Sequence, residues 1–312
     1  MTSAPFRLVC PVCHTNLSVA ETKLACSRCA AEYAYFNGFP DLTLGARFAD
    51  ARDADRNDYE ERSNDHTTRL YLLPTFRRLF PDRASSSRLL SVGCGTGIDV
   101  DILTAEGYDV AGVDCGNRTA VWPRRRSPDR LFLADGLHLP FEDAAFDLAY
   151  CGCVFPHIGT VGDTDRPAPD CRVSRLALAR EMTRVVKPGG YILVSSPNRW
   201  CPVDLFHGRT KEQPFPRLNP PGSRFLLSPR DYRRLFAEAG CQQFRLLPVT
   251  GYWGFVNRRS TWKGRALVLP VEILFRIAAL EPLRFLRAAA LSPWLVMLIR
   301  KPPASLARSS PT

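Results

Sequence analysis

The chain has 312 residues, of which 45% are hydrophobic and 23% are charged. This composition is typical of a globular protein with one large core and room for a small extra module, and it excludes a fibrous or disordered chain. The formal net charge is +11, and the segment from Arg245 onward carries eleven lysines and arginines against two acidic residues. Such an excess suits nucleic acid or an anionic membrane surface, but a solvated arginine-rich surface has the same composition.

The chain has eleven cysteines, an odd number, and seven of them are scattered through apparent α/β sequence. This distribution favours free or metal-bound thiols in a reducing compartment over a disulfide scaffold. Residues 1–11 contain no apolar stretch long enough for a signal peptide. We therefore expect a cytoplasmic protein, with peripheral membrane attachment as an alternative.

The first 45 residues contain two C-x-x-C knuckles with twelve residues between them. Four thiolates at this spacing suit a tetrahedral zinc ion, and a segment this short needs such a staple to fold. The predicted ligands are Cys10, Cys13, Cys26 and Cys29. A degenerate site or a redox pair remains the alternative. We expect a zinc-ribbon-like module at 1–45, a charge-dense linker with helical pieces at 46–87, and the main domain at 88–312.

From Arg88 onward the pattern alternates between strands and helices, which is typical of βαβ units around a parallel sheet. Strands are predicted at Leu89–Val92, Asp109–Val113, Leu131–Ala134, Phe146–Cys151, Tyr191–Ser195, Gln243–Val249 and Trp294–Ile299. Helices are predicted from the glycine turn at 93–97 to about Glu106, over Arg172–Val186, and from Pro229, with Ser228 as the N-cap, to Gly240.

Three glycines alternate in the turn between the first of these strands and its helix, at Gly93, Gly95 and Gly97. Glycine lets a backbone turn sharply and approach a ligand, and the helix behind the turn offers free N–H groups. The turn alone is a weak signal, because a purely structural turn has the same spacing. Asp114 follows the second strand and Asp135 the third, so both acids lie where ribose hydroxyls and an adenine amino group bind in open α/β sheets.

Residues 88–200 resemble the class I S-adenosylmethionine-dependent methyltransferases, in particular the type 11-like group. The resemblance rests on the glycine turn, an L-P-F-x-x-x-x-F-D stretch at 139–147 and a K-P-G-G turn at 187–190. It implies a Rossmann-like seven-stranded sheet with helices on both faces and an antiparallel last strand, and S-adenosylmethionine as the methyl donor. The implied donor-site residues are Ser91, Gly93, Cys94, Gly95, Gly97, Asp114, Cys115, Asp135, Gly136, Leu137 and Cys151. In most of the family an acid takes the position that Ser91 holds here.

Residues 8–44 resemble the zinc-ribbon-like domains related to the Trm112 methyltransferase activators, through the run C-P-x-C, C-x-x-C and G-x-P-D-L. A zinc module followed by a methyltransferase also resembles the bacterial rRNA guanine-N1 methyltransferases. This order of domains makes RNA a candidate acceptor, although similar modules precede methyltransferases of small molecules.

The acceptor-facing loop after the fourth strand, at 151–158, lacks the Asn-Pro-Pro-Tyr/Phe signature of enzymes that methylate exocyclic base amines or glutamine amides. His157 in this loop is the first candidate for a general base, because imidazole titrates near neutral pH. Asp204 and His207, in the loop after the fifth strand, are the second candidates.

An apolar insert with interspersed arginines occupies 251–292, before the last strand. It predicts an amphipathic helical pair that is too short to span a bilayer, so we expect no transmembrane segment. Three roles remain open for the insert: a lid over the active site, a contact with a membrane surface, or a contact with RNA.

The leading hypothesis is methyl transfer from S-adenosylmethionine to a small or lipid-like acceptor by in-line displacement. The second is an rRNA or tRNA base methyltransferase that uses its zinc module to recognise RNA. The third is a non-catalytic binding partner that retains the fold. The intact glycine turn and its two acids argue against the third.

Overall fold

The computed structural model describes residues 6–20, 22–47, 55–81, 86–162, 164–204, 217–220, 222–251 and 262–304. The N-terminal part forms four short strands, β1 (Leu17–Ala20), β2 (Lys23–Cys26), β3 (Glu32–Phe36) and β4 (Phe39–Leu42). Helix α1 (Asp55–Thr67) continues through a π-helical turn (Thr68–Leu72) into α2 (Leu73–Leu79).

The main domain then alternates strands and helices. Its first half contains β5 (Arg88–Val92), α3 (Ile98–Ala105), β6 (Asp109–Asp114), β7 (Leu131–Ala134) and β8 (Phe146–Gly152). Its second half contains α4 (Cys171–Val185), β9 (Val186–Pro197), β10 (Val203–Asp204), β11 (Arg217–Leu218), α5 (Pro229–Glu238), β12 (Gln243–Leu246), α6 (Trp262–Ala279) and β13 (Trp294–Arg300). The 3₁₀ segments are Asn117–Arg124, Pro128–Arg130, Phe155–His157 and Glu281–Ala288.

The central sheet has the strand order β7-β6-β5-β8-β9-β13-β12. Strands β5 to β9 pair in parallel, and β13 runs antiparallel to both of its neighbours. Alternate residues of a strand serve opposite faces of the sheet: Leu90 belongs to the core shared with α4 and α5, and Leu89 to the core shared with α3. The predicted Rossmann-like fold, with helices on both faces and an antiparallel last strand, is confirmed.

Two strands differ from their predicted bounds by more than one residue at an end. Strand β9 starts at Val186 because Val186 pairs with Phe146, and pairing resumes only at Tyr191, so the Lys-Pro-Gly-Gly turn forms a bulge inside the strand. Strand β12 ends at Leu246, before the predicted Val249. Pro248 has no N–H group, so it cannot continue the ladder.

The N-terminal segment with the four cysteines continues the same sheet. Strand β4 pairs in parallel with β7, in the register Asp41 to Leu133 and Leu42 to Ala134. The ring of Phe6 lies 5.7 Å from that of Phe146, inside the main core. The sheet therefore runs without interruption from β1 to β12 in eleven strands.

The two sequence stretches at 139–147 and 187–190 are held by ion pairs. The ammonium of Lys187 donates to both carboxylate oxygens of Asp147, at 2.9 and 2.8 Å. The Arg184 guanidinium donates to the carbonyls of Phe141 and Leu139, and Glu181 accepts from the Leu139 N–H group. Lys187 thus fastens the second stretch to β8, and Glu181 and Arg184 fasten the first stretch to α4.

Candidate functional site

The turn after β5 has a backbone that favours glycine at three positions. Gly93, Gly95 and Gly97 have φ angles of +72°, +55° and +75°, in the left-handed region that other residues rarely adopt. A Cβ on Gly93 would clash with the Cγ2 atom of Val154. The indole N–H of Trp122 donates to the Gly95 carbonyl at 2.8 Å. The turn therefore needs glycine both for its conformation and for its space.

Asp114 lies at the end of β6, directly against this turn. Its Oδ2 atom accepts a hydrogen bond from the Gly95 N–H group at 2.8 Å, and its Oδ1 atom accepts one from Gly116 at 2.6 Å. A carboxylate has about four lone-pair sites, so two remain for hydroxyl donors of a ligand. The structure thus places the first predicted acid beside the predicted turn.

Asp135 directly follows β7 and lies near Cys115, the residue after Asp114. Its Oδ1 atom accepts from the Leu137 N–H group at 3.0 Å. Burial, followed by the negative charges of Asp114 and Asp135, raises the pKa of the Cys115 thiol to about 12. Asp114 and Asp135 therefore both lie close to the Cys115 thiol, so the ends of β6 and β7 form one site.

Three predicted donor-site side chains point into the core instead. Cys94 is 3% exposed, and a Cβ on Gly112 would lie 2.9 Å from its sulfur atom. Cys151 is buried as well, and burial raises the pKa of both thiols. Ser91 is 3% exposed. Because both side chains are buried, Cys94 and Cys151 can contact a ligand only through their backbone atoms.

Ser91 belongs to a buried polar cluster that the sequence analysis missed. The hydroxyls of Ser91 and Tyr150 both donate to the Oδ2 atom of Asp99, at 2.6 and 2.8 Å. Burial raises the pKa of this carboxyl, and the two hydrogen bonds lower it by less. Its Oδ1 atom meets no hydrogen-bond partner among the described residues. Asp99 thus places a carboxyl group beside the position where most of the family has an acid.

The sequence pattern did not mark Asp99 as a site residue, because Asp99 lies in the first turn of α3. Acidic residues are common there, since they interact favourably with the positive end of the helix. The one sequence signal was a serine in place of the usual acid, with an aspartate eight positions later.

The acceptor-facing loop after β8 is held by Arg175 of α4, which is 5% exposed. Its guanidinium donates to the carbonyls of Pro156 and Phe225 at 2.9 Å, of Arg224 at 2.8 Å and of Ile158 at 3.2 Å. Burial lowers the pKa of this group. Arg175 shares the core-facing side of the helix with Cys171 and Leu178, which was the available sequence signal.

The three candidate bases have different surroundings. The ring of His157 is half-buried and meets Phe225 edge-on, with the ring centroids 5.5 Å apart. Asp204 is 1% exposed and lies in β10 opposite Arg217. His207 lies outside the described residues. A catalytic role for any of the three remains a prediction.

Helix α1 and the π-helical turn form one side of an open groove beside the glycine turn. The groove has a volume of about 570 Å³ and is lined by Glu61, Arg62, Asp65, His66, Arg69, Leu70 and Ile98. Ile98 is the residue after Gly97. Ion pairs between Glu60 and Arg118 and between Glu61 and Arg125 fasten α1 here. The Arg125 guanidinium also donates to the Thr96 carbonyl at 2.7 Å.

The N-terminal cysteines form a compact cluster that resembles a zinc ribbon. The four Sγ atoms of Cys10, Cys13, Cys26 and Cys29 lie within 4.8 Å of one another. Two of the separations are 3.6 Å (Cys10 to Cys29) and 3.4 Å (Cys13 to Cys26). Tetrahedral Zn–S bonds of about 2.3 Å place sulfur atoms about 3.8 Å apart. The four residues therefore fit a zinc ion.

The pKa values of the thiols reflect how closely the four sulfur atoms lie. Hydrogen bonds from the backbone and side chain of Thr15 lower the pKa of the Cys13 thiol to about 6. A backbone hydrogen bond from Ala31 lowers the pKa of Cys29, but burial and the three neighbouring thiols raise it to about 12. A bound dication removes this repulsion between thiolates.

A sequence model described as a methyltransferase domain matches residues 65–244, more than half of the chain. The chain belongs to this methyltransferase family. It is 31% identical over 124 residues to the demethylmenaquinone methyltransferase of Beutenbergia cavernae, an alignment that covers 39% of this chain and 46% of that protein. It is 28% identical over 123 residues to the glycine N-methyltransferase of Mus musculus, with coverages of 36% and 40%. The chain thus spans about half the length, or less, of these curated relatives.

Two solved structures overlap with most of this chain. The Haloferax volcanii complex that contains the Trm112 methyltransferase activator has a TM-score of 0.45 at 15% identity, covering 80% of this chain and 94% of that one. Phosphoethanolamine N-methyltransferase 2 of Haemonchus contortus, in complex with S-adenosyl-L-methionine, has a TM-score of 0.44 at 16% identity, with coverages of 80% and 59%. Within the described ranges of this chain, every helix is too short or too polar to cross a membrane.

Replacing Arg175 by methionine should lower the free energy of unfolding by about 3 kcal/mol, because four carbonyls lose a charged donor inside the protein. Urea titration followed by circular dichroism measures this change. Arg180→Met is the matched control, since Arg180 is exposed on the same helix. Equal effects of the two substitutions would contradict the role of Arg175.

Replacing Asp99 by asparagine should raise the melting temperature at pH 7.5. The asparagine carbonyl still accepts from Ser91 and Tyr150, but it carries no buried charge. Because the folded-state pKa of Asp99 is raised, its ionisation destabilises the fold above that pKa, and the penalty disappears as the pH falls through it. The gain should therefore shrink towards pH 4. Thermal unfolding between pH 4 and 8 measures it, and a gain independent of pH would refute the explanation.

Proposed function

We propose that the protein is an S-adenosylmethionine-dependent methyltransferase that acts on a small or lipid-like acceptor. The observation that carries this proposal is the Asp114 carboxylate, held by the Gly95 and Gly116 N–H groups at the carboxyl end of β6. Its remaining lone pairs suit the two hydroxyls of a ribose. Membership in the methyltransferase family supports the same conclusion.

The donor, when bound, supplies a methyl group on a positively charged sulfur that is already activated for displacement. The chain's own residues then bind and align the reactants. Gly93, Gly95 and Gly97 let the backbone approach the methionine and ribose portions. Asp114 binds the ribose, and Asp135 with the neighbouring Gly136 binds the adenine amino group.

The carboxyl group of Asp99 is the proposed partner for the methionine end of the donor. Its Oδ1 atom has no hydrogen-bond partner among the described residues, whereas its Oδ2 atom is held by Ser91 and Tyr150. An ammonium group would satisfy that oxygen and stabilise the ionised carboxylate. Asp99 thereby replaces the acid that Ser91 displaces from the motif.

Methyl transfer by in-line displacement depends mainly on alignment and on the exclusion of water. In this chain Arg175 holds the loop at 155–158 that follows β8, and Val154 packs against Gly93. We propose His157 as the residue that accepts a proton where the acceptor requires it, with Asp204 and His207 as alternatives. The groove between α1 and Ile98 is the proposed entrance for the acceptor.

A small acceptor is favoured by the names of the relatives. Demethylmenaquinone methyltransferases of three bacteria and a glycine N-methyltransferase are among the relatives that match the chain. Methylation of an RNA base is the second candidate, favoured by the zinc-ribbon-like cluster and by a 27% identical relative named as a probable tRNA methyltransferase. A transfer assay with labelled donor against lipid, small-molecule and RNA fractions separates the two.

The ribbon has a proposed structural part in donor binding. Strand β4 supports the edge of β7, whose end carries Asp135. The charge of Arg47, which follows β4, acts on the Cys115 thiol between the two acids. We propose that a structural zinc ion at the four cysteines keeps this edge of the donor site in place.

Asp114→Ala should weaken the binding of S-adenosylhomocysteine about a hundredfold, because two charged hydrogen bonds of roughly 1.5 kcal/mol each are lost. Isothermal titration calorimetry measures the affinity. Asp170→Ala, at an exposed aspartate, is the control and should bind like the parent. If the Asp114 variant keeps both its fold and the parent affinity, the ribose is misplaced.

The purified protein should contain one zinc ion per chain, and Cys13→Ser should abolish it, as measured by inductively coupled plasma mass spectrometry. Cys241→Ser changes a cysteine outside the cluster and should keep the metal. Removing zinc from the full chain should also lower its affinity for S-adenosylhomocysteine, and added zinc should restore it. Full affinity in the zinc-free protein would show that the ribbon does not support the donor site.

A further inference from the structure

An arginine-lined groove lies at the β12 edge of the sheet, between α5 and the 3₁₀ segment Glu281–Ala288. Its volume is about 710 Å³. Arg230, Arg233 and Arg234 form one wall, and its apolar lining includes Trp200, Phe244 and Ala288. None of these residues takes part in the proposed donor site. We call this feature the arginine groove.

The three arginines form a concentrated positive charge. Their spacing places them on one face of α5, and all three are exposed. None has a carboxylate partner within the part of the chain that the structure describes. The acids of the same helix are engaged elsewhere, since Asp231 caps the helix with Ser228 and Glu238 pairs with Arg172. Three neighbouring guanidinium groups of one sign favour an anionic ligand with several negative oxygens.

Helix α6, which precedes the 3₁₀ segment, exposes a row of aliphatic side chains. Leu269, Ile273, Ile277 and Leu280 are between 40% and 58% exposed. Their spacing of four, four and three residues puts them on one face of α6 and just past its end. The opposite face of the helix is buried through Val268, Phe275 and Ala278. We call the exposed row the apolar ridge.

Arg287 joins the 3₁₀ segment that lines the arginine groove to α6, which carries the apolar ridge. The buried guanidinium of Arg287 donates to the carbonyls of Ala278 and Ala279 at the end of α6, at 2.7 and 2.9 Å. Residues three apart share a face in a 3₁₀ helix. Phe285, which is 64% exposed, therefore lies on the same face as Ala288 in the groove lining.

We propose that the arginine groove and the apolar ridge bind the surface of an anionic phospholipid bilayer. The arginines bind headgroup phosphates, and the ridge and Phe285 enter the boundary between headgroups and acyl chains. The phosphates of RNA could bind the arginines, but RNA has no aliphatic surface that would pack against a row of leucine and isoleucine side chains. A second copy of the chain is disfavoured, because the chain carries a net charge of +11. This inference does not depend on the methyltransferase activity.

The test is cosedimentation of the full-length protein with vesicles of phosphatidylcholine, with and without 30 mol% phosphatidylglycerol. The parent should bind the anionic vesicles at least tenfold more tightly, and added salt should weaken this binding. The triple variant Arg230→Gln, Arg233→Gln, Arg234→Gln should lose at least tenfold. Its control is Arg28→Gln, Arg166→Gln, Arg180→Gln, which removes the same charge from exposed arginines elsewhere.

The ridge is tested by Ile273→Gln with Ile277→Gln, which should also reduce binding at least tenfold. Val173→Gln changes an even more exposed apolar side chain, on α4, and should have no effect. Equal losses in the triple variant and its control would overturn the proposal, as would equal binding to both kinds of vesicle. RNA binding that is lost in the triple variant while vesicle binding persists would assign the groove to RNA.

Affinity for S-adenosylhomocysteine is measured for every variant. It should stay at the parent value, which shows that the variants are folded. A parent protein that binds vesicles but no S-adenosylhomocysteine would contradict the proposed function and leave the membrane surface standing.

Discussion

The backbone turn after β5 is the constraint on which the carboxyl edge of the sheet depends. Its three glycines adopt left-handed φ angles, and Val154 fills the space where a side chain on Gly93 would lie. In this turn the Gly95 N–H group donates a hydrogen bond to Asp114, and that bond fixes the end of β6. A larger residue in the turn would displace the loop after β8 and the aspartate together. The turn therefore couples the donor side of the proposed site to its acceptor side.

Helix α4 uses long charged side chains to hold the loops around this turn. Arg175 donates to four carbonyls of two loops, and Arg184 fastens the stretch that follows β7. Next to Arg184, at the C-terminal end of the helix, Lys301 of the C-terminal segment donates to the carbonyls of Thr183 and Val186. Burying a guanidinium is costly unless its donors are satisfied, so each of these groups fixes the geometry of its loop.

The predictable part of the fold came from local periodicity and from short motifs. Seven strands followed from the alternating pattern and the family resemblance, and Ser-Pro-Arg-Asp predicted Ser228 as the N-cap of α5, where the structure forms a capping box. The sites of Asp114 and Asp135 followed from their positions after strands. The largest differences in the strands lie at their ends, where a bulge at 187–190 and a proline at 248 decided the bounds.

The sequence by itself determined the sheet, the glycine turn, the cysteine quartet and the two acids, because each depends on neighbouring residues or on a fixed spacing. Only the tertiary structure decided that β4 extends the main sheet, that Asp99 accompanies Ser91, and that three arginines of α5 share a groove with Ala288. These contacts join residues that are distant along the chain or that lie on different elements. The stabilisation from these contacts depends on packing and burial, and neither can be predicted from residues that are neighbours in the sequence.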